Sequence, residues 1–316
     1  MIEKCLICGL SSDYLFSKDD WNSNFKFYKC RNCTHVFVYP QPTIKDLDLF
    51  YNQEYYVSEF QRLKVRKKGA YILKHISKTK IPMLEIGCSY GYFLEYMDEQ
   101  GIKVDGLELS QIASQKAKEK GFDVICGSIE NDLTLKKYYS VFLFDVLEHL
   151  PNPSLFLKLI SNRMLESGEI FITVPNQCSL EFKFFKKYWE WTSPPAHLHY
   201  FNYQSIAGLL NQSGFSIEIV DSFKGDSAGN IFFHFYDFLR RMVLFNLGYF
   251  YFGRTKFLEK KKAYNLKQKD LRQHKPSEFN GFNYWIYRMT NFLELLDRLI
   301  RNKMNEPTLF LKATKK

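Results

Sequence analysis

The fold is decided by the stretch Pro82-Met-Leu-Glu-Ile-Gly-Cys-Ser-Tyr-Gly91. Residues 83–86 form a short apolar run that predicts a strand opened by Pro82, and glycines at 87 and 91 predict a turn. A helix is predicted from Tyr92 to Gln100, where Gly101 stops it. A strand, a glycine turn and a helix in this order are typical of the first unit of a parallel sheet.

The same alternation continues along the chain. Further strands are predicted at 103–107, 122–126, 139–145, 169–174 and 215–220. Helices are predicted from Ser110 to Lys120, from Pro153 to a stop at Gly168, and from Tyr203 to Ser213. Strands that alternate with helices of this length predict an α/β fold with a parallel, doubly wound sheet.

Ligands of such sheets bind beyond the carboxyl ends of the strands. The turn at 87–91 is not G-x-G-x-x-G, and no Lys-Ser/Thr follows it, which argues against a pyrophosphate. Gly87 and Gly91 still allow the backbone to approach a ligand closely. Glu108 lies 21 residues after Gly87, at the end of the next strand, where it can accept hydrogen bonds from two ribose hydroxyls. The pattern predicts a nucleoside site, whereas in the alternative interpretation Glu85 and Glu108 are surface carboxylates.

The N-terminal segment carries two Cys-x2-Cys pairs, Cys5 with Cys8 and Cys30 with Cys33. Their separation by 21 residues is close to the spacing of tetrahedral zinc sites, and four thiolates leave no open position for chemistry. We therefore expect a structural Zn2+ in a ribbon over residues 1–42, with His35 as an alternative ligand and a helical linker at 43–79. A redox role requires a βαβ setting that these residues lack. Three further cysteines are expected as free thiols: Cys88, Cys126 and Cys178.

Four segments together resemble, in order and spacing, class I S-adenosylmethionine-dependent methyltransferases. They are Leu84-Glu-Ile-Gly-Cys-Ser-Tyr-Gly91, Gly106-Leu-Glu-Leu-Ser110, Gly127-Ser-Ile-Glu130 and Phe144-Asp-Val-Leu-Glu-His-Leu-Pro-Asn-Pro153. The resemblance covers a core at 80–222, and residues 307–316 look like the antiparallel last strand of that family. It implies a Rossmann-like methyltransferase sheet of seven strands. A four-cysteine ribbon is also familiar in the branch that acts on sugars and related metabolites.

By position, the resemblance implies how S-adenosyl-L-methionine is held. Glu108 would bind the ribose, and Asp145 would face the methionyl amino group. Ser89 stands where many members have glycine, so a slightly different backbone is expected there without loss of binding. The methionine moiety would be lined by Glu85, Gly87, Cys88, Ser89 and Gly91, and the adenine by Leu109, Ser128 and Ile129.

A sulfonium donor supplies its own electrophile, so the enzyme has to align a nucleophile and, for a hydroxyl, remove its proton. A histidine is the expected base. His197, in the loop after the fifth core strand, is the first candidate. For His199 the alternative role is packing at the start of the next helix. For His149 the alternative role is packing beneath the cofactor.

The expected acceptor is a hydroxyl of a sugar, a nucleotide-sugar or a glycan precursor. Sugar C-methyltransferases with an N-terminal zinc site carry a Tyr-x-Glu-His segment, of which Pro194-Pro-Ala-His197 keeps only the histidine. Asp145-Val-Leu-Glu148 also lacks the Asn/Asp-Pro-Pro-Tyr pattern of amine methyltransferases. An RNA methyltransferase that uses the ribbon and basic segments, a sugar C-methyltransferase and a non-enzymatic scaffold remain as alternatives.

The basic residues are unevenly distributed. The net charge is +10, and the segment 251–275 alone has nine Lys or Arg residues against Glu259 and Asp270. A second basic run at 61–80 is interpreted as a solvated helix face. Residues 223–306 are expected to be a helical insertion, because ten aromatics occur in the 22 residues from Ile231. The insertion is interpreted as a lid, a homodimer contact, or an anchor at an anionic inner membrane face. Without a signal segment or a long apolar run, we expect a cytoplasmic protein, peripherally associated with the membrane.

Overall fold

The computed structural model describes residues 3–20, 23–43, 59–76, 80–129, 136–189, 191–223 and 306–316. These residues belong to one of the two units into which the chain divides. Nearly all of the predicted insertion at 223–306 lies outside the described residues. Within the described ranges, no helix combines the length and the apolar character needed to cross a bilayer.

The N-terminal residues form an antiparallel meander. Its strands are β1 (Glu3–Lys4), β2 (Ser11–Asp20), β3 (Ser23–Cys30) and β4 (Val36–Val38). All three side chains of β4 are buried. Helix α1 (Glu59–Ile72) follows, and a short 3-10 turn, Leu73–His75, ends it.

Seven strands form the central mixed sheet. In chain order the remaining elements are β5 (Met83–Ile86), α2 (Tyr92–Glu99), β6 (Asp105–Glu108), α3 (Gln111–Glu119), β7 (Val124–Cys126), β8 (Tyr138–Phe144), α4 (Pro153–Asn162), β9 (Met164–Pro175), α5 (Leu180–Phe185), β10 (His199–Tyr200), α6 (Tyr203–Gln212), β11 (Phe215–Phe223) and β12 (Thr308–Lys315). The strand order is β11-β12-β9-β8-β5-β6-β7, and β12 is antiparallel to both of its neighbours. This confirms the expected seven-stranded α/β sheet.

Capping residues fix where the helices begin. The Ser110 side chain accepts the amide of Ala113 at the start of α3, and Asn152 caps α4 with Pro153 in its first turn. Asn202 and Ser205 form a capping box at the start of α6. These side chains satisfy amides that the first helical turn leaves unpaired.

The predicted end of α4 is wrong. The helix ends at Asn162, and β9 begins at Met164, several residues before the glycine that was expected to stop the helix. Gly168 instead permits a close backbone approach, because a Cβ there would lie 2.9 Å from the carbonyl oxygens of Leu165 and Tyr139.

Apolar side chains pack on both faces of the sheet. On one face Phe142 lies between Phe93 and Phe171, with ring centroids 5.1 and 5.2 Å apart. On the other face Leu157 and Ile160 of α4 are fully buried with residues of β8 and β9. Burial on both sides explains why the central strands are continuous apolar runs.

The strand β10 belongs to the N-terminal sheet and not to the central one. His199 pairs with Phe37 of β4, and Tyr200 pairs with Val36. The segment that follows β9 therefore extends the N-terminal meander to five strands. The two sheets are joined by this strand.

Candidate active site and four-cysteine cluster

The turn after β5 brings the backbone to the carboxyl end of the sheet. Gly87 has a φ of +77°, and a Cβ at this position would lie 2.9 Å from Cγ2 of Val146. Its amide donates to the carbonyl of Leu107 at 2.7 Å. Ser89, where a glycine is usual in the resembled family, also adopts a positive φ of +50°. Ser89 thus adopts a left-handed backbone conformation that glycine accommodates more easily than other residues.

Glu108 is oriented by two backbone amides at the end of β6. One carboxylate oxygen accepts from Ser89 and the other from Ser110, each at 2.8 Å. Its own carbonyl accepts the amide of Gly127, which begins the turn after β7. The carboxylate is therefore held at the junction of three strand ends, where a ribose diol would meet it.

The residues expected to contact adenine differ in exposure. Ile129 is buried, Ser128 is half-buried, and two thirds of Leu109 is exposed beside Glu108. Residues 130–135 lie outside the described part of the chain. Leu109 thus offers an open apolar surface next to the Glu108 carboxylate.

Two of the residues expected to line the methionine moiety, Glu85 and Cys88, are buried. Burial, together with the nearby Glu108 carboxylate, raises the pKa of Glu85 well above its ordinary value. Burial likewise raises the pKa of the Cys88 thiol, which stays protonated. The chain thus places a carboxyl group and a neutral thiol under the glycine turn, next to Gly91 at the start of α2.

Asp145 follows β8 and forms an ion pair with a residue that the sequence did not single out. Lys68 of α1 is almost fully buried, and its Nζ lies 2.5 Å from Asp145 Oδ2. Thr173 of β9 donates to the other carboxylate oxygen at 2.9 Å. Asp145 therefore has the Lys68 ammonium group as one partner, and its expected contact with the methionyl amino group stays a prediction.

Two of the three histidine candidates lie together. The rings of His149 and His197 have centroids 4.7 Å apart, and Glu148, which is fully buried, lies beside them. His149 Nδ1 bonds the carbonyl of Ala196 at 2.8 Å, and His197 Nδ1 bonds that of Trp191 at 2.7 Å. Loss of hydration lowers the pKa of both imidazoles, that of His197 to about 3, so both are neutral at pH 7.

His199 lies elsewhere. It is completely buried in β10, and its Nδ1 is 3.0 Å from Nε2 of His35, with the two rings stacked. Burial lowers the pKa of His199 to about 4. His35, considered above as a zinc ligand, therefore contacts a histidine instead of the cysteines. The pair packs the N-terminal sheet against the segment that carries His197.

The four N-terminal cysteines form one cluster. Their sulfur atoms all lie within 4.8 Å of one another, and three of the four residues are buried. Cys5 and Cys33 are 3.6 Å apart, and Cys8 and Cys30 are 3.4 Å apart. Sulfurs that share one Zn2+ at about 2.3 Å lie roughly 3.8 Å apart, so this donor set fits a tetrahedral cation.

Residues 57–219 match the model of a family described as methyltransferase domain. The chain belongs to that family. This methyltransferase-domain chain is 30% identical over 103 residues to a ubiquinone biosynthesis O-methyltransferase of Idiomarina loihiensis, a match that covers 30% of this chain and 42% of the relative. The corresponding protein of Salmonella paratyphi A is 27% identical over 103 residues, covering 30% and 43%. The match therefore spans about two fifths of these relatives' length.

Solved structures share the general arrangement at low identity. A SAM-dependent methyltransferase from Archaeoglobus fulgidus is 20% identical with a TM-score of 0.46, covering 79% of this chain and 94% of that one. An S-adenosylmethionine-dependent methyltransferase from Mesorhizobium loti is 13% identical with a TM-score of 0.46, covering 78% and 96%.

Proposed function

We propose that the protein is an S-adenosylmethionine-dependent methyltransferase that methylates a hydroxyl group. The observation that carries the donor assignment is the Glu108 carboxylate, which two amides hold beside a glycine turn that lacks a phosphate-binding pattern. This arrangement suits a nucleoside without phosphates. Family membership supplies the reaction class, because the matched segment contains the whole turn and Glu108.

The reaction transfers the sulfonium methyl group to an oxygen atom. The acceptor oxygen attacks in line with the leaving sulfur, S-adenosylhomocysteine is released, and the hydroxyl proton departs. The pair formed by His149 and His197 accepts this proton. Carbonyl oxygens engage the Nδ1 atom of both rings, so Nε2 carries the lone pair. His199 is not part of this proposal, because β10 buries it against His35.

The acceptor class rests on two kinds of support. The resemblance to sugar-modifying enzymes with a four-cysteine ribbon favours a sugar, nucleotide-sugar or glycan precursor. The names of the curated relatives favour oxygen over carbon or nitrogen as the methylated atom, and they add a second candidate, a hydroxyl on a lipid-soluble quinone precursor. Both candidates agree with a cytoplasmic enzyme that works at the membrane surface.

The four cysteines hold a structural zinc ion in this proposal. The donor set is closed, so the ion orders the meander β1–β4 and takes no part in methyl transfer. Because β4 pairs with β10, that order extends to the segment containing His197.

The test supplies methyl-labelled S-adenosylmethionine and the purified protein to an extract that lacks its own copy. The products are separated into anionic metabolites, lipid-linked material and RNA. Label in the metabolites or lipid-linked material supports the proposal and distinguishes its two acceptor classes. Label confined to nuclease-sensitive RNA overturns it in favour of RNA methylation, and absence of label from every fraction favours a scaffold.

A further inference from the structure

The cluster of Glu148, His149 and His197 has the composition and spacing of a metal site. One ligating atom from each residue lies within 4.8 Å of the others. His149 Nε2 is 4.0 Å from Glu148 Oε1. Ligand atoms that share one cation at about 2.1 Å lie roughly 3 to 3.5 Å apart, so small side-chain rotations would complete the site.

The histidines are oriented as metal-binding histidines are. A carbonyl oxygen can only accept, so Nδ1 of His149 donates to Ala196 and Nδ1 of His197 donates to Trp191. These bonds fix the tautomer in which Nε2 carries the lone pair. Such outer hydrogen bonds are typical of histidines that bind metals.

The backbone holds the two halves of the cluster together. Glu148 and His149 lie on the 3-10 turn after β8, whereas His197 lies in the segment after β9. The amide of Leu198 donates to the carbonyl of Glu148 at 2.7 Å, which joins the two segments next to all three side chains. A backbone hydrogen bond therefore holds together the two segments that carry the cluster.

Burial of Glu148 adds a charge argument. Glu148 is fully buried, and a divalent cation bound beside it would offset the cost of keeping an ionised carboxylate away from water. His149 keeps 28% of its side chain exposed, so water or an acceptor can approach from one side. Three protein ligands with an open side are the arrangement of catalytic metal sites.

We propose that Glu148, His149 and His197 bind one divalent transition-metal cation, separate from the four-cysteine site. Two imidazole nitrogens and one carboxylate suit Mn2+, Fe2+, Co2+ or Zn2+, whereas Mg2+ prefers an all-oxygen site.

This inference rests on the proposed function for its catalytic role. It replaces direct proton transfer to the histidine pair, because Nε2 of both histidines binds the cation. The acceptor hydroxyl binds the open side of the cation, which lowers the pKa of that hydroxyl. The O–H bond breaks and the proton passes to solvent. The oxygen then forms its bond to the methyl group as the bond from sulfur to carbon breaks, giving S-adenosylhomocysteine and the methyl ether.

The test measures Mn2+ binding by electron paramagnetic resonance on the full-length protein. Mn2+ is the probe because soft thiolates disfavour it, so the four-cysteine site does not contribute. Wild-type protein is expected to bind one Mn2+ per chain. Separate His149→Ala, His197→Ala and Glu148→Gln variants should each weaken binding by about 100-fold or more, since loss of an outer hydrogen bond alone costs about 10- to 100-fold.

His75→Ala is the matched control. His75 contacts only the rings of Tyr71 and Phe310 among its described ring contacts, and its removal should leave Mn2+ affinity unchanged. S-adenosylhomocysteine affinity, measured by calorimetry, verifies that each variant is folded. Wild-type protein that binds Mn2+ and Co2+ no better than the three variants overturns the inference.

Turnover separates this inference from the proposed function. Methyl transfer should be lost on treatment with a chelator and restored by Mn2+, which the four cysteines disfavour. Full methyl transfer by chelator-treated protein overturns the metal site and leaves the proposed function standing. If Mn2+ binds as expected but no acceptor is methylated, the metal site stands and the proposed function fails.

Discussion

Gly87 shows how a single residue shapes the donor site. Its φ of +77° is unfavourable for a side chain, and a Cβ would also meet Val146 at 2.9 Å. Gly101 has a φ of +72° but open space around it, which makes it a matched control. We expect Gly101→Ala to cost about 1 to 2 kcal/mol of unfolding free energy, and Gly87→Ala to cost about 1 to 3 kcal/mol more.

Denaturant unfolding measures both glycine variants, and calorimetry measures their affinity for S-adenosylhomocysteine. Only Gly87→Ala should lose affinity, because only that turn lies at the carboxyl end of the central strands. Equal effects of the two substitutions would contradict the close approach assigned to Gly87.

Glu85 makes stability depend on pH. Because burial raises its pKa in the folded state above the ordinary 4.5, the native protein binds more protons than the unfolded chain between those two values. The stability contribution of this group therefore falls as pH rises through that window. Glu85→Gln removes the titration, so the melting temperature of the variant relative to wild type should increase from pH 5 towards pH 9, in thermal melts without cofactor. A difference that stays constant with pH would contradict the raised pKa.

At the scale of elements, helix α1 is the part of the core whose buried contacts could not be predicted from the sequence. Its run of basic residues predicts a solvated helix face, and nothing in the neighbouring sequence distinguishes Lys68 from the other basic residues. In the structure Arg66 forms an exposed pair with Glu99, 2.5 Å apart, whereas Lys68 turns inward to Asp145. Which side chain turns inward depends on how the helix packs against α2 and β8. That packing is a tertiary fact that the local pattern does not contain.

The contacts of the histidines could not be predicted for the same reason. The sequence identified His149, His197 and His199 as candidates, but it could not pair His149 with His197 or His199 with His35. Those pairings arise from the bond between Leu198 and Glu148 and from the register of β10 on β4. The apolar strands and the glycine turns, by contrast, are local signals, and they predicted the sheet correctly.

The pairing of β10 with β4 predicts that the cysteine cluster supports turnover more than donor binding. Asn202, at the start of α6, donates to Thr34 Oγ1 at 2.5 Å, and Gln177 donates to the Thr34 carbonyl at 2.7 Å. Both hydrogen bonds end on Thr34, the residue next to Cys33. Cys33→Ser should therefore disorder the N-terminal sheet and the segment carrying His197, while the Glu108 site on β5–β7 is kept.

The measurements for Cys33→Ser are zinc content, melting temperature, methyl transfer and S-adenosylhomocysteine affinity. We expect lower zinc content, a lower melting temperature and at least a 10-fold loss of turnover, with donor affinity changed less than about 3-fold, a difference of well under 1 kcal/mol. Cys178→Ser, outside the cluster, is the control and should change none of these. Full turnover in zinc-free Cys33→Ser protein would show that the two sheets act independently.

At the scale of the whole molecule, the described residues form two regions with different proposed roles. In the proposed function, the carboxyl ends of β5, β6 and β7 present Glu108 and the glycine turn to the donor, while β8, β9 and the N-terminal sheet position the histidine pair for the acceptor. The aromatic and basic insertion lies outside the described residues, and its roles as a lid, a dimer contact or a membrane anchor stay predictions.

Glu108 is proposed to hold the ribose of an S-adenosyl donor. Calorimetric titration with S-adenosylhomocysteine, comparing wild type with Glu108→Ala, tests it most directly. Glu119→Ala is the control, because that exposed carboxylate on α3 pairs only at the surface with Lys116. We predict that wild type and Glu119→Ala bind one equivalent with equal affinity, and that Glu108→Ala loses about 100-fold or more with its melting temperature preserved. Failure of the wild-type protein to bind, or equal binding by Glu108→Ala, would contradict the account.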